Sequence, residues 1–178
     1  MEYQDKITTK KLLHIALFSS IALVLSYLER FIFLPLPIPG LKLGIANIAV
    51  LSCMITIDFK SAAVVAIIKS LLSVFLFSKG SALLYSLPAT IVSLFVMGFI
   101  IFKTGDRFSE VGASVLGSVS FNMTQIIIAA NIIRDFSLLY ILPYMNILSV
   151  FTGVFIGYAS KFLKEAIYKR GILWKRLY

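Results

Sequence analysis

The stretch Leu34–Ile48 reads LPLPIPGLKLGIANI, and its reading decides how the rest of the chain is laid out. Pro35, Pro37 and Pro39 stand at alternate positions, removing backbone donors and biasing the residues before them away from helix. Gly40, Lys42 and Gly44 follow, and an apolar helix-like pattern resumes at Gly44 with Asn47 one turn inside it. Strongly apolar segments flank the stretch, where a membrane protein would need only a short turn. Non-helical backbone is tolerated at membrane depth only where it is buried in protein or lines a cavity. The stretch therefore reads as the wall or lid of a binding site, with Pro35, Pro37, Pro39 and Gly40 forming the lid.

Composition sets the surroundings of that lid. Hydrophobic residues make up 60% of the 178, charged residues 14%, and the mean hydropathy is +0.97. Such a chain is an integral membrane protein, and its length predicts a single integral membrane domain over 1–178. Apolar runs predict spans at about 12–33, 44–57, 61–77, 81–102, 111–133 and 138–162. The fold class is thus all-α: a polytopic bundle of six transmembrane helices, with a Pro/Gly-rich loop before a short second helix. That second helix would rise only roughly 21 Å, so the loop before it is expected to fill part of the membrane depth. Pro88 predicts a kink in the fourth span. The first apolar run is too long for a cleavable signal peptide and lacks a small-residue cleavage site.

The basic excess is distributed as a membrane topology rather than as a nucleic-acid surface. Placing both termini inside puts twelve Lys and Arg residues on the inner side. Only four face outward (Arg30, Lys42, Lys79 and Arg134), while Lys69 lies within a span. Positive residues concentrate on the cytoplasmic side of membrane proteins, which predicts a multi-pass protein of the bacterial inner membrane with cytoplasmic termini. The tail carrying Ile172, Leu173, Trp174 and Tyr178 among basic residues reads either as an anchor on anionic membrane lipid or as a solvated end.

Polar groups inside the spans mark a candidate site. Lys69 is the ionisable residue deep in a span, on one helical face with Ala62, Ala66 and Ser73. Ser114, Ser118, Asn122, Gln125 and Ala129 form a small-and-polar stripe on the fifth span. Counting helical depth places Lys69 and Asn122 near mid-membrane, Gln125 a turn further out, and Asn47, Tyr85 and Asn146 in outer halves. Together with Lys42 these residues outline an outward-opening substrate pocket. The competing reading is that the hydroxyls and amides are hydrogen-bonding glue between helices. No acid is level with Lys69 on this reading, since Glu29 falls nearer the outer surface. A bound anion would resolve the amine's charge, helped by free N–H groups at the start of the second helix beside Lys42.

Two small-xxx-small patterns, Ala16–Ser20 and Gly153–Gly157, allow close helix approach either within the bundle or to a partner. Cys53 sits alone in an apolar run and His14 has no companions for a metal site. The eight acidic residues are scattered, no two adjacent, and no phosphate-binding Gly-Lys-Ser/Thr loop exists. Catalysis, a cofactor and nucleic-acid binding are therefore not expected.

The run Ala22–Glu29 (ALVLSYLE), the stretch Leu34–Asn47, the Leu83–Ser86 run and the Asn122/Gln125 pair together resemble the Gx transporter family. Its members often carry the label heptaprenyl diphosphate synthase component I. Phe121 stands where that family usually has a His before the Asn of the fifth span. The family is similar to the S components of energy-coupling-factor transporters, six-helix subunits that bind a vitamin-like molecule from outside. The resemblance implies a small, vitamin-like or anionic substrate, a coupling transmembrane subunit and two cytosolic ATPases as partners. Ala16 and Ser20 would be the docking residues. The label implies the alternative, a membrane accessory to prenyl diphosphate or quinone metabolism.

Overall fold

The computed structural model describes residues 9–31, 43–77, 81–103 and 109–169. Among these the chain forms six α-helices: α1 Thr9–Leu28, α2 Asn47–Thr56, α3 Phe59–Phe77, α4 Ser81–Lys103, α5 Glu110–Ile133 and α6 Leu142–Lys169. A 3-10 turn, Glu29–Phe31, extends α1, and another, Phe136–Ile141, leads into α6. The protein is an all-α, multi-pass membrane bundle, and among the described residues five helical segments have the length and apolarity to cross a bilayer. Pro35, Pro37, Pro39, Gly40, Lys42 and the basic tail lie outside the described residues.

Helix α2 is the short one, and it occupies the centre. Its sequence NIAVLSCMIT is apolar nearly all round, the pattern of a helix buried on every side. Every residue but Ile55 is buried, and α1, α3 and α6 pack around it. The Ser160 hydroxyl of α6 donates to the Ile48 carbonyl at 3.2 Å. The helix starts at Asn47, later than the sequence pattern suggests, because Gly44 takes φ +87° and turns the chain into it.

Helix α5 is flanked by α4 and α6. A Cβ on Gly153 would lie 2.6 Å from Val115 Cα, and one on Gly157 would lie 2.5 Å from Val111 Cα. The glycine pattern of α6 is thus consumed within the bundle, where it brings two backbones together. The other small-residue pattern has the opposite fate. Ala16 and Ser20 are exposed on α1, and the Ser20 hydroxyl is turned back to the Ala16 carbonyl at 2.9 Å. Pro88 sits inside α4 without ending it, although it leaves the Leu84 carbonyl without its usual helical donor.

Two ion pairs clasp one end of the bundle: Lys11 to Asp58 at 2.7 Å and Lys164 to Glu110 at 2.5 Å. Burial works against the charge on Asp58, but hydrogen bonds from Lys11 and Ser61 outweigh it and hold the carboxyl below its usual range. A depressed carboxyl contributes stability above its unfolded pKa and loses that contribution as pH falls through the folded value.

Two predictions follow from this packing. In detergent, Gly153→Ala or Gly157→Ala lowers stability by about 1–3 kcal/mol, read as a reduced melting temperature, whereas Ala16→Leu leaves melting unchanged. Asp58→Asn lowers stability near pH 7 by about 1 kcal/mol or less, because the pair is partly solvated. Melting scans at falling pH should show wild type and Asp58→Asn converge once Asp58 is protonated.

Candidate functional site

An amine in the middle of an apolar bundle costs about 2.5–3.5 kcal/mol on insertion scales unless partners satisfy it. Lys69, near the middle of α3, is only 6% exposed, and its Nζ donates to Asn47 Oδ1 at 2.6 Å. Asn47 is held in place as the first residue of α2. Glu29, in the turn that ends α1, is also buried, and its Oε1 accepts the Gly44 N–H at 2.6 Å. That bond ties together the two ends of the connection 32–42.

Glu29, Gly44, Ala46, Lys69, Ser70, Ser73, Ser86, Thr90 and Phe121 wall one cavity. Glu29 therefore shares a cavity with Lys69, an approach that the sequence reading, with Glu29 nearer the outer surface, left open. The reason is the turn Glu29–Phe31, which ends the α-helical rise at Leu28 and brings the carboxylate in towards Gly44. The Ser70 hydroxyl donates to Thr90 Oγ1 at 3.1 Å, and Thr90 donates onward to the Ser86 carbonyl at 2.8 Å. The buried Ser86 hydroxyl itself meets no partner among the described residues. Phe121 supplies the apolar part of the wall, at the position where the resembling family usually has His. The cavity's volume is about 10 Å³, roughly the room for one water.

The start of α2 differs from the anion site that the sequence suggested. The Asn47 N–H donates to the Gly44 carbonyl at 2.8 Å and the Ile48 N–H to the Ile45 carbonyl at 3.0 Å. These two donors are engaged by the turn itself, and the Gly44 N–H is engaged by Glu29. The wall offers a carboxylate, an amine and hydroxyls, a balance that suits a ligand able both to donate and to accept.

The remaining candidates fall elsewhere. Asn122, fully buried on α5, donates through Nδ2 to the Ser149 hydroxyl of α6, which donates to the Met145 carbonyl. This pair bridges α5 and α6. Gln125 is fully buried one turn along, Tyr85 packs with Ala129, Ala130 and Leu138, and Asn146 is half-buried near the start of α6. Tyr85, Asn122, Gln125 and Asn146 are not on the wall that Lys69 shares. Sequence reading passed over Glu29, Ser70, Ser86, Thr90 and Phe121 as wall residues. A signal did exist for two of them: Ser86 and Thr90 lie four apart on one face, either side of Pro88.

Fold and cavity together define a small helical membrane protein that encloses a polar site within an apolar bundle. The family model described as heptaprenyl diphosphate synthase component I matches residues 18–163, and the chain belongs to that family. It is also similar to riboflavin transporter RibU of Streptococcus thermophilus (strain ATCC BAA-250 / LMG 18311), at 31% identity over 125 residues. That alignment covers 67% of this chain and 58% of RibU, so the chain spans less than two thirds of that relative. No solved structure gives a significant match.

If Glu29 and Lys69 act as a unit, their substitutions must be non-additive. Glu29→Gln and Lys69→Met should each destabilise the protein. The double variant should then be more stable than the sum of the single losses by about 0.5–3 kcal/mol. Denaturation midpoints of the four proteins in detergent give the coupling, and strict additivity would separate the two side chains. Gly44→Ala should cost about 1–2 kcal/mol through its left-handed backbone alone.

Proposed function

We propose that the protein is a substrate-binding membrane subunit, of the S-component kind, for uptake of a small vitamin-like molecule. The observation that carries this reading is the buried polar cavity walled by Lys69 and Glu29, with Asn47 bonded to the Lys69 amine, in an otherwise apolar bundle. The similarity to a protein named as a riboflavin transporter supports it. The chain is not an enzyme.

Lys69 and Asn47 are the ligand-binding residues on this reading, with Glu29 balancing the amine and Phe121 offering a flat apolar face. The cavity as it stands is too small for a vitamin-sized molecule, so binding requires its walls to part. On this reading the connection 32–42, with Pro35, Pro37, Pro39, Gly40 and Lys42, serves as the lid, and the bond between Glu29 and Gly44, on either side of it in the chain, supports that role. Tyr85, Asn122, Gln125 and Asn146 would line the outer part of the opened pocket.

Uptake needs an energy source, and a coupling transmembrane subunit with cytosolic ATPases would supply it. The exposed Ala16–Ser20 face of α1 is the docking surface we assign to that subunit, with both termini in the cytoplasm. Close approach of a partner helix needs small residues with satisfied hydroxyls, and this face has both.

Native mass spectrometry of protein gently extracted from its own membrane tests the capture role directly. A retained small molecule is expected, with riboflavin the first candidate to compare by mass. Lys69→Ala or Asn47→Ala should weaken rebinding of that molecule at least about tenfold, a loss of roughly 1.4 kcal/mol. Wild-type affinity in both variants would remove these residues from the site. Ala16→Leu should abolish recovery of the coupling subunit while ligand affinity stays unchanged.

The family's description favours a second reading, an accessory to heptaprenyl diphosphate synthase. Among the described residues no three His, Cys, Asp or Glu side chains come together to hold a metal-bound diphosphate. Recovery of a soluble prenyl synthase, with no small molecule retained, would decide for that role.

A further inference from the structure

A groove of about 540 Å³ runs along the flank of α3 and α4, far from the polar cavity in both chemistry and lining residues. Phe59, Phe95, Val96, Phe99 and Ile100 wall it, hydrocarbon side chains without exception. The Phe59 ring forms the floor. It lies so close over Gly98 that a Cβ there would come within 2.5 Å of a ring carbon. Phe95 and Phe102 hold the ring from either side, with centroids at 5.7 Å and 6.4 Å. Phe95 and Phe99 are 61% and 58% exposed, so the groove opens sideways from the bundle. In a membrane-spanning protein that direction faces lipid.

Charge at one end of the groove says what occupies it. Phe59 begins α3 and Lys103 ends α4, which places the groove at the basic end of the bundle. Lys103 Nζ sits 5.0 Å from the centroid of the Phe99 ring, and Lys60 is exposed beside Phe59. Among the described carboxylates at this end, Asp58 pairs with Lys11 and Glu110 with Lys164, and Glu165 on α6 makes no ion pair with Lys60 or Lys103. Lys60 and Lys103 have no acidic partner among the described residues. An apolar slot with Lys103 over one of its rings and the exposed Lys60 next to Phe59 in the chain matches an amphiphile with a hydrocarbon tail and a negative head.

We propose that this groove is a binding site for an anionic phospholipid. One acyl chain lies against Phe59, Phe95 and Phe99, and the phosphate is held by Lys60 and Lys103. Phosphatidylcholine fits the same slot with its tail, but its choline group cancels the attraction of the two lysines.

The test places a reporter in the groove. With Trp174, the chain's one tryptophan, replaced by Phe, Phe99→Trp is reconstituted in bilayers of phosphatidylcholine and phosphatidylglycerol, one of them brominated in its acyl chains. Brominated phosphatidylglycerol should reach half-maximal quenching at a mole fraction roughly tenfold lower than brominated phosphatidylcholine does. Adding Lys60→Gln and Lys103→Gln, both solvent-facing changes, should bring the two curves together. A second reporter, Phe155→Trp on the exposed face of α6, should show no preference between the lipids. Coincident curves at position 99 would overturn the proposal. So would a preference that survives the lysine changes, or an equal one at position 155, since either would be a general effect of the protein's positive charge. A reporter shielded from both lipids would place protein in the groove, whether a partner or a second copy, and would also overturn it.

Discussion

An amine buried in an apolar bundle is the constraint on which the rest of this structure depends. Lys69 lies too far from either end of α3 for its side chain to reach the membrane surface, so satisfaction must come from inside. The Asn47 carbonyl oxygen supplies part of it at 2.6 Å, and that contact locks α3 to the first residue of α2. Glu29 shares the cavity wall and at the same time holds the Gly44 N–H, so the end of α1 is joined to the same assembly. Three helices thus meet through a few polar atoms. Their apolar surfaces alone would specify no such register, since lipid is as apolar as they are.

The same physics explains why α2 lies in the centre. A ten-residue helix cannot cross a bilayer. It is stable here because α1, α3 and α6 surround it and its early donors are used by the turn from Gly44 to Ile48. The left-handed Gly44 makes that turn with no side chain to strain it. A fold with a short helix at its centre leaves room beside it for a polar hollow.

Two sets of small residues show how similar sequence patterns acquire different uses. On α6 the glycines meet the backbone of α5, where any Cβ would collide. On α1 Ala16 and Ser20 face outward. Nothing in either pattern distinguishes the cases. The difference comes from which face of each helix its neighbours leave uncovered.

Sequence by itself determined the class of this protein: hydropathy and run length require an all-α membrane bundle, and the Pro/Gly stretch separates a long first helix from a short second one. It also singled out Lys69 and Asn47, because an amine and an amide in apolar runs are costly enough to stand out in one dimension. Only the tertiary structure decided that these two touch and that Glu29 joins them. It likewise decided that Asn122 serves Ser149 across the α5–α6 contact rather than the Lys69 cavity. Helical depth counted along separate spans gives height within the membrane to about a turn, but not rotation about the helix axis. Partnership between polar groups depends on that rotation, and rotation is set by packing against neighbouring helices.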